Sequence, residues 1–134
     1  MVILTGGYRL YDFTALSRVQ SYNIAGAISR MPDLLYERHQ HACVLLCPRG
    51  PSCKNIIEHY SSQTSHAPEF YKVYLVSGGR NRTTSRMSST EILVAGSTFW
   101  VESSPLPSPR VGLRGVNIGG DFYVIGGEYI QSMV

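Results

Sequence analysis

The sequence is short of most features that would point to a helical protein, a membrane anchor or a disulfide scaffold. There are only two Lys, Lys54 and Lys72, and charged residues make up 16% of the 134. No segment sustains an apolar period of 3.6, so a helical bundle is not expected. No run of about 18 apolar residues exists, which excludes a transmembrane helix and gives no reason to expect a membrane partner. Met1 passes directly into Val2–Gly7, without the basic and apolar regions of a signal peptide, so secretion is not indicated. Three cysteines, Cys43, Cys47 and Cys53, are an odd number and supply no disulfide framework.

Catalytic signatures are also missing. The chain has no G-x-x-x-x-G-K-[ST], G-x-S-x-G or H-E-x-x-H motif and no paired-carboxylate motif, so neither an enzyme nor a bound cofactor is expected. The net charge of +3 is carried largely by ten Arg dispersed along the chain. Nucleic-acid binders cluster their cations, so a nucleic-acid partner is not expected either.

What is present is glycine, proline and short β-like runs. Thirteen Gly, seven Pro and 43% apolar residues, separated by Ser-rich punctuation, predict an all-β fold. The chain is organised around Tyr71–Gly79, YKVYLVSGG, an alternating aromatic and aliphatic run stopped by two glycines. Period-2 alternation of such residues predicts a half-buried strand. The Gly-Gly pair ends it and permits backbone angles that other residues resist. The pattern recurs in Val2–Gly7, VILTGG, and in Phe122–Gly127, FYVIGG. Three apolar strands ending in Gly-Gly form a period: Gly6 and Gly7, Gly78 and Gly79, Gly126 and Gly127.

The remaining strands fall between the doublets. Val19–Ile24 and Ala27–Arg30 follow the first, before a break at Met31-Pro32-Asp33. His39–Leu46 precedes the second, and Ser89–Ala95 and Thr98–Glu102 follow it, before the break Ser103–Pro109. Val111–Ile118 precedes the third. From Gly79 to Gly127 is 48 residues, and from Gly7 to Gly79 is 72. The excess of 24 is close to the length of Cys47–Phe70, an aperiodic segment. One insertion therefore accounts for the unequal spacing.

These residues resemble the kelch repeat. The glycine doublets Leu75-Val76-Ser77-Gly78-Gly79 and Val124-Ile125-Gly126-Gly127 match its pattern, as does Trp100, seven positions after Leu93. Leu93 stands where the family has Tyr. Tyr22 takes that aromatic position in the first repeat, where Ser29 replaces the Trp. Met31-Pro32 and Leu106-Pro107, followed by Arg38 and Arg110, match the break between repeats. RVQSYNIAG, STEILVAGSTFW and PLPSPRVGLRG are also similar to kelch arrays of arthropods, crustaceans in particular. The resemblance covers all but Cys47–Phe70. It implies a kelch-type β-propeller, each repeat forming a four-stranded antiparallel blade with strands A to D from the axis outwards. Residues 1–38 would hold strands B to D of one blade, 39–102 a complete blade with the insertion 47–70, and 103–134 a break and strands A and B of the next. A ring needs about 4–8 blades and repeats do not bury their faces alone. The chain is thus expected to be a section of a longer protein, marginal or unfolded without its remaining blades.

The implied topology puts the B–C and D–A connections on one face. Arg9, Arg18, Arg38, Arg80, Arg82, Arg86 and Arg110 would share that face with Asp12, Asp33, Glu37 and Glu128. Arg9, Arg38, Arg80, Arg82, Arg86 and Arg110 are candidate contacts to an acidic or phosphorylated segment of a protein partner, through the bidentate guanidinium fork. Solvated loop arginines are the competing explanation for any one of them. Tyr11, with Tyr8 and Tyr129, lies in B–C connections and is a candidate aromatic anchor. His39, His41 and Cys43 alternate on one strand, but ligands so spaced splay apart and match no zinc module. They read as structural residues. Asn81-Arg82-Thr83 is a glycosylation sequon which, without a leader, reads as a chance match. The resemblance implies a non-catalytic scaffold or adaptor. The alternatives are a galactose-oxidase-like copper propeller, for which His39, His41, Tyr22 and Tyr123 would be the ingredients, and a secreted propeller binding carbohydrate or matrix.

Overall fold

The computed structural model describes residues 2–46, 73–94, 96–119 and 121–128. The chain is all-β there. The strands are β1 (Val2–Thr5), β2 (Tyr8–Arg9), β3 (Thr14–Ala15), β4 (Val19–Tyr22), β5 (Ile28–Met31), β6 (Ala42–Leu46), β7 (Val73–Ser77), β8 (Thr90–Val94), β9 (Val101–Ser103), β10 (Arg114–Ile118) and β11 (Asp121–Ile125). They form a three-stranded sheet β1-β4-β5, a four-stranded sheet β6-β7-β8-β9, and the hairpins β10-β11 and β2-β3. All pairings are antiparallel. Among the described residues, no helix is long and apolar enough to cross a membrane. The segment 47–70, together with Tyr71, Lys72 and Tyr129, lies outside the described residues.

Each sheet begins from a local signal. Val, Ile, Tyr and Thr favour a pleated backbone, and the glycine doublets stop it. Gly79 shows why the doublet must be glycine. Its φ is +94°, and an added Cβ would lie 2.6 Å from the carbonyl oxygen of His39. Both the backbone angle and the close approach of the preceding segment exclude a side chain.

The connections around the first two doublets use one hydrogen-bond scheme twice. Gly6 N donates to Arg18 O as Gly78 N does to Ser89 O, and Gly7 N donates to Arg38 O as Gly79 N does to Arg110 O. Leu16 N reaches Gly7 O and Met87 N reaches Gly79 O. Arg38 N then binds Leu16 O, and Arg110 N binds Met87 O. The chain thus returns to each doublet by the same route, and each break is tied to the loop after the doublet.

The four-stranded sheet carries the core on both faces. Val44, Leu46, Val73, Leu75, Ile92, Val94 and Val101 cluster on one side, with Phe122 of β11 packed against them. On the other side Tyr74, Val76, Leu93 and Trp100 pack with Val19 and Leu34, joined by Ile3 and Met31. The half-buried strand expected at Tyr71–Gly79 is therefore corrected. All five residues of β7 are buried, because a neighbouring element covers each face of its sheet. Trp100 lies just before β9 and donates its indole N–H to Pro32 O at 2.8 Å. It thereby ties the four-stranded sheet to the break after β5. A further difference is local: the first B–C connection, expected as a loop, contains the hairpin β2-β3.

Candidate partner-binding site

A cleft of about 400 Å³ opens where the β2-β3 hairpin faces the start of the four-stranded sheet. It is lined by Tyr8, Phe13, Ala15, His39, Arg80, Asn81 and Arg82. Three local features build it. The hairpin turn holds Phe13 at φ +57°, with Asp12 accepting from Thr14 Oγ1 at 2.7 Å and from Arg9 Nε at 2.9 Å. His39 and Arg80 exchange backbone hydrogen bonds at 3.0 Å in both directions, which fixes the cleft floor. Asn81 shapes the following loop: its side-chain oxygen accepts from Thr83 N and Thr84 N, and its Nδ2 donates to Glu37 O at 2.8 Å. Both ends of that amide have a structural use.

The floor is aromatic. The Tyr8 and His39 rings lie 4.6 Å apart between centroids, and Phe13 is 6.5 Å from Tyr8. Burial, then the neighbouring Arg80, pushes the His39 pKa below its ordinary value, so the ring is neutral at pH 7. Arg80 and Arg82 stand at the rim, exposed. Among the described residues, the three ion pairs are made by other arginines, Arg9, Arg30 and Arg38. The cleft can thus receive a flat or aliphatic group on its floor and an anion at its rim.

The remaining candidates are distributed differently. Arg9 pairs with Asp12 and lines a separate hollow with Arg18, Arg30, Asp33 and Glu37. Hydrogen bonding to Arg9 and then to Thr14 holds the Asp12 carboxyl down at about 2. Tyr11, at 92% exposure, caps the hairpin without lining the cleft. Arg86 faces another hollow, beside Tyr36 and Met87, and its Nε has no partner. Arg110 donates to Gly126 O at 2.9 Å.

Arg38 is the clear correction. Expected on the loop face, it is completely buried, with a 2.6 Å ion pair to Glu91 that is equally buried. Its fork also binds Gly78 O, Ser89 O and Ser89 Oγ. The guanidinium holds the break to the next sheet and is not available to a partner. Glu91 was not singled out from sequence. Its signal was a lone acid inside the apolar run Thr90–Val94. Phe13 was also missed, because a loop aromatic has no period to mark it.

His39, His41 and Cys43 do not converge on a metal, and the described residues hold no group of three such ligands. His41 sits under the first doublet, with Nε2 2.9 Å from Thr5 Oγ1 and Nδ1 without a partner. Burial, reinforced by Arg38 and His39 against the Thr5 hydrogen bond, lowers its pKa from 6.5 to about 4. The folded chain therefore keeps this ring neutral while the unfolded chain protonates it. Stability is expected to be full above pH 6.5 and to fall progressively as pH drops towards 4. At about 1.4 kcal/mol per pKa unit the loss approaches about 3 kcal/mol. Asp12, held at about 2, stays ionised through that window. Urea titrations at pH 7 and pH 4.5 should show the drop, and His41→Asn should reduce it. An equal pH dependence in the variant would remove His41 as its source.

Comparison with protein-family models finds no match for this chain, and comparison with curated proteins finds none either.

Proposed function

We propose that the chain is a section of a kelch-type β-propeller acting as a non-catalytic protein-interaction module, and that the Arg80–Arg82 cleft takes an acidic or phosphorylated segment of its partner. The observation that carries the binding reading is the pairing of two rim arginines with a neutral aromatic floor of Tyr8, His39 and Phe13. The propeller reading is supported by the strand pattern. A four-stranded antiparallel sheet lies between a three-stranded one and a hairpin, and each has a strand that ends at a glycine doublet.

The chemistry favours an anion for a physical reason. Arg stays charged at any accessible pH and presents planar, paired donors that fit carboxylate and phosphate oxygens. Beside an apolar floor, where water is partly displaced, such bonds are stronger than on an open surface.

A fluorescein-labelled acidic peptide, a phosphotyrosine version of it and a lysine-rich control serve as probes. Both anionic peptides are expected to bind, more weakly as salt rises. Arg80→Glu combined with Arg82→Glu is expected to weaken them at least about tenfold, since each charge-assisted bond contributes about 1.5–3 kcal/mol. Arg9→Glu, outside the cleft, should change little. Unchanged affinity in the double variant would remove the cleft as the site.

A further inference from the structure

The Arg80–Arg82 cleft offers a ligand more than charge. Both of its walls come from described residues: the β2-β3 hairpin supplies Tyr8, Phe13 and Ala15, and the next unit supplies His39 and residues 80–82. Although the two walls face each other, large aromatic groups are left uncovered between them. Phe13 is 70% and Tyr8 40% exposed. Phe13 also stands on a φ of +57°, in the left-handed region that a bulky side chain rarely adopts. An exposed aromatic ring held on a strained turn beside a cleft points to a ligand contact rather than to packing.

The rim adds two cations on a fixed backbone. Arg80 is tied to His39 by two backbone hydrogen bonds of 3.0 Å, and both ends of the Asn81 amide pin the loop beyond it. Arg80 and Arg82 therefore flank one anchored residue. Among the described residues neither makes an ion pair, so both charges are open to a ligand. A carboxylate brings a single negative charge. A phosphoryl group brings about −1.5 to −2 at pH 7, with acceptor oxygens enough for two guanidinium forks. The side chain that carries the anion must also use the floor. Glutamate and phosphoserine hold their charge on short aliphatic stems, with no ring to lay on Phe13 and Tyr8. In phosphotyrosine the anion sits at the para position, in line with the ring, so the ring covers the floor while the phosphate meets the rim.

We infer that the partner is read through a phosphorylated tyrosine, whose ring packs against Phe13 and Tyr8 while its phosphate bridges Arg80 and Arg82. This specificity rests on the cleft being the partner site, as proposed above, and narrows the acidic or phosphorylated segment to an aryl phosphate. Floor and rim then contribute separately. The arginines hold any anion of sufficient charge and carry the salt dependence. The floor discriminates among anions by the area of ring that it covers.

Versions of one labelled peptide that carry phosphotyrosine, phosphoserine, glutamate or tyrosine at a single position are titrated against the whole chain by fluorescence anisotropy. Phosphotyrosine is expected to bind about tenfold more tightly than phosphoserine, the effect of one aromatic contact and its buried area. The tyrosine version should bind most weakly. Phe13→Asn removes the ring and keeps a residue that accepts the left-handed backbone. It should bring phosphotyrosine down to the phosphoserine affinity and leave the phosphoserine value unchanged. Tyr8→Leu, on the same floor, should narrow the gap without moving phosphoserine. The emission of the single tryptophan, Trp100, verifies that each variant keeps its fold. Equal binding of phosphotyrosine and phosphoserine, both weakened by Arg80→Glu with Arg82→Glu, would overturn the tyrosine specificity and leave the acidic-segment reading intact. Tyrosine binding as tightly as phosphotyrosine would overturn it too, by making the cleft an apolar groove. If no anionic version binds, the cleft is not the partner site and the specificity falls with it.

Discussion

Glu91→Ala is expected to destabilise the chain by about 3–5 kcal/mol, the usual cost of leaving a buried charge uncompensated. The charge left behind is the Arg38 guanidinium, with no exposed surface. In the intact protein Arg38 Nη2 donates to Glu91 Oε2 at 2.6 Å and to Ser89 Oγ at 3.0 Å, and Nη1 donates to Gly78 O and Ser89 O. Only Nε is without a partner. The carboxylate is as well used, accepting from Leu35 N at 2.6 Å and Tyr36 N at 3.2 Å. Burial lowers the Arg38 pKa, and Glu91 opposes that shift. The pair therefore locks the break 32–38 onto β8, across more than fifty residues of sequence.

Arg38→Met combined with Glu91→Leu should recover part of the loss. Burying two apolar groups avoids the desolvation of two ions, but the carbonyls of Gly78 and Ser89 and the amides of Leu35 and Tyr36 lose their partners. Urea unfolding at fixed protein concentration, followed by Trp100 fluorescence, measures both. A cost below about 1 kcal/mol for Glu91→Ala, the range of a surface pair, would mean that water reaches the site.

Trp100→Ala is expected to cost a similar amount, about 3–5 kcal/mol, by removing a large side chain from a packed core. Trp100 is 1% exposed and lies among Val19, Leu34, Tyr74, Val76 and Leu93. Those neighbours come from four segments of chain, β4, the 32–38 break, β7 and β8, so the cavity would sit where the first sheet meets the second. The indole also supplies the hydrogen bond to Pro32 O. Trp100→Phe separates the two contributions: it keeps much of the apolar area and loses the bond, so about 1–2 kcal/mol is expected. Because the only tryptophan is then gone, far-UV circular dichroism follows these melts. Equal costs for the two variants would assign Trp100's role to the hydrogen bond rather than to packing.

The two sites show different degrees of legibility. Arg80 and Arg82 are legible as exposed loop cations, because a polar run after a glycine doublet has no apolar partner to pull it inside. Arg38 has the same residue type and follows a proline break, so it reads the same way. Only its distance from Glu91 separates them. The aromatic floor is similar. Tyr8 and His39, far apart in the chain, bring their rings together at a tilt, and no local pattern links them.

Sequence alone determined roughly where the longer strands lie, but it did not mark the β2-β3 hairpin, and the strands expected at His39–Leu46 and Thr98–Glu102 begin only at Ala42 and Val101. Period-2 alternation and glycine doublets act over two or three residues, so the sequence carries their effect locally. It also determined the all-β class, since no segment offers a helical face. The tertiary structure alone decided which faces of those strands are buried. β7 is covered on both sides and β11 on one, although both are apolar runs ending in Gly-Gly. It also decided which arginine is sealed inside and which is left at a cleft. Burial and charge pairing depend on what another segment brings through space, and that is set by how the sheets stack.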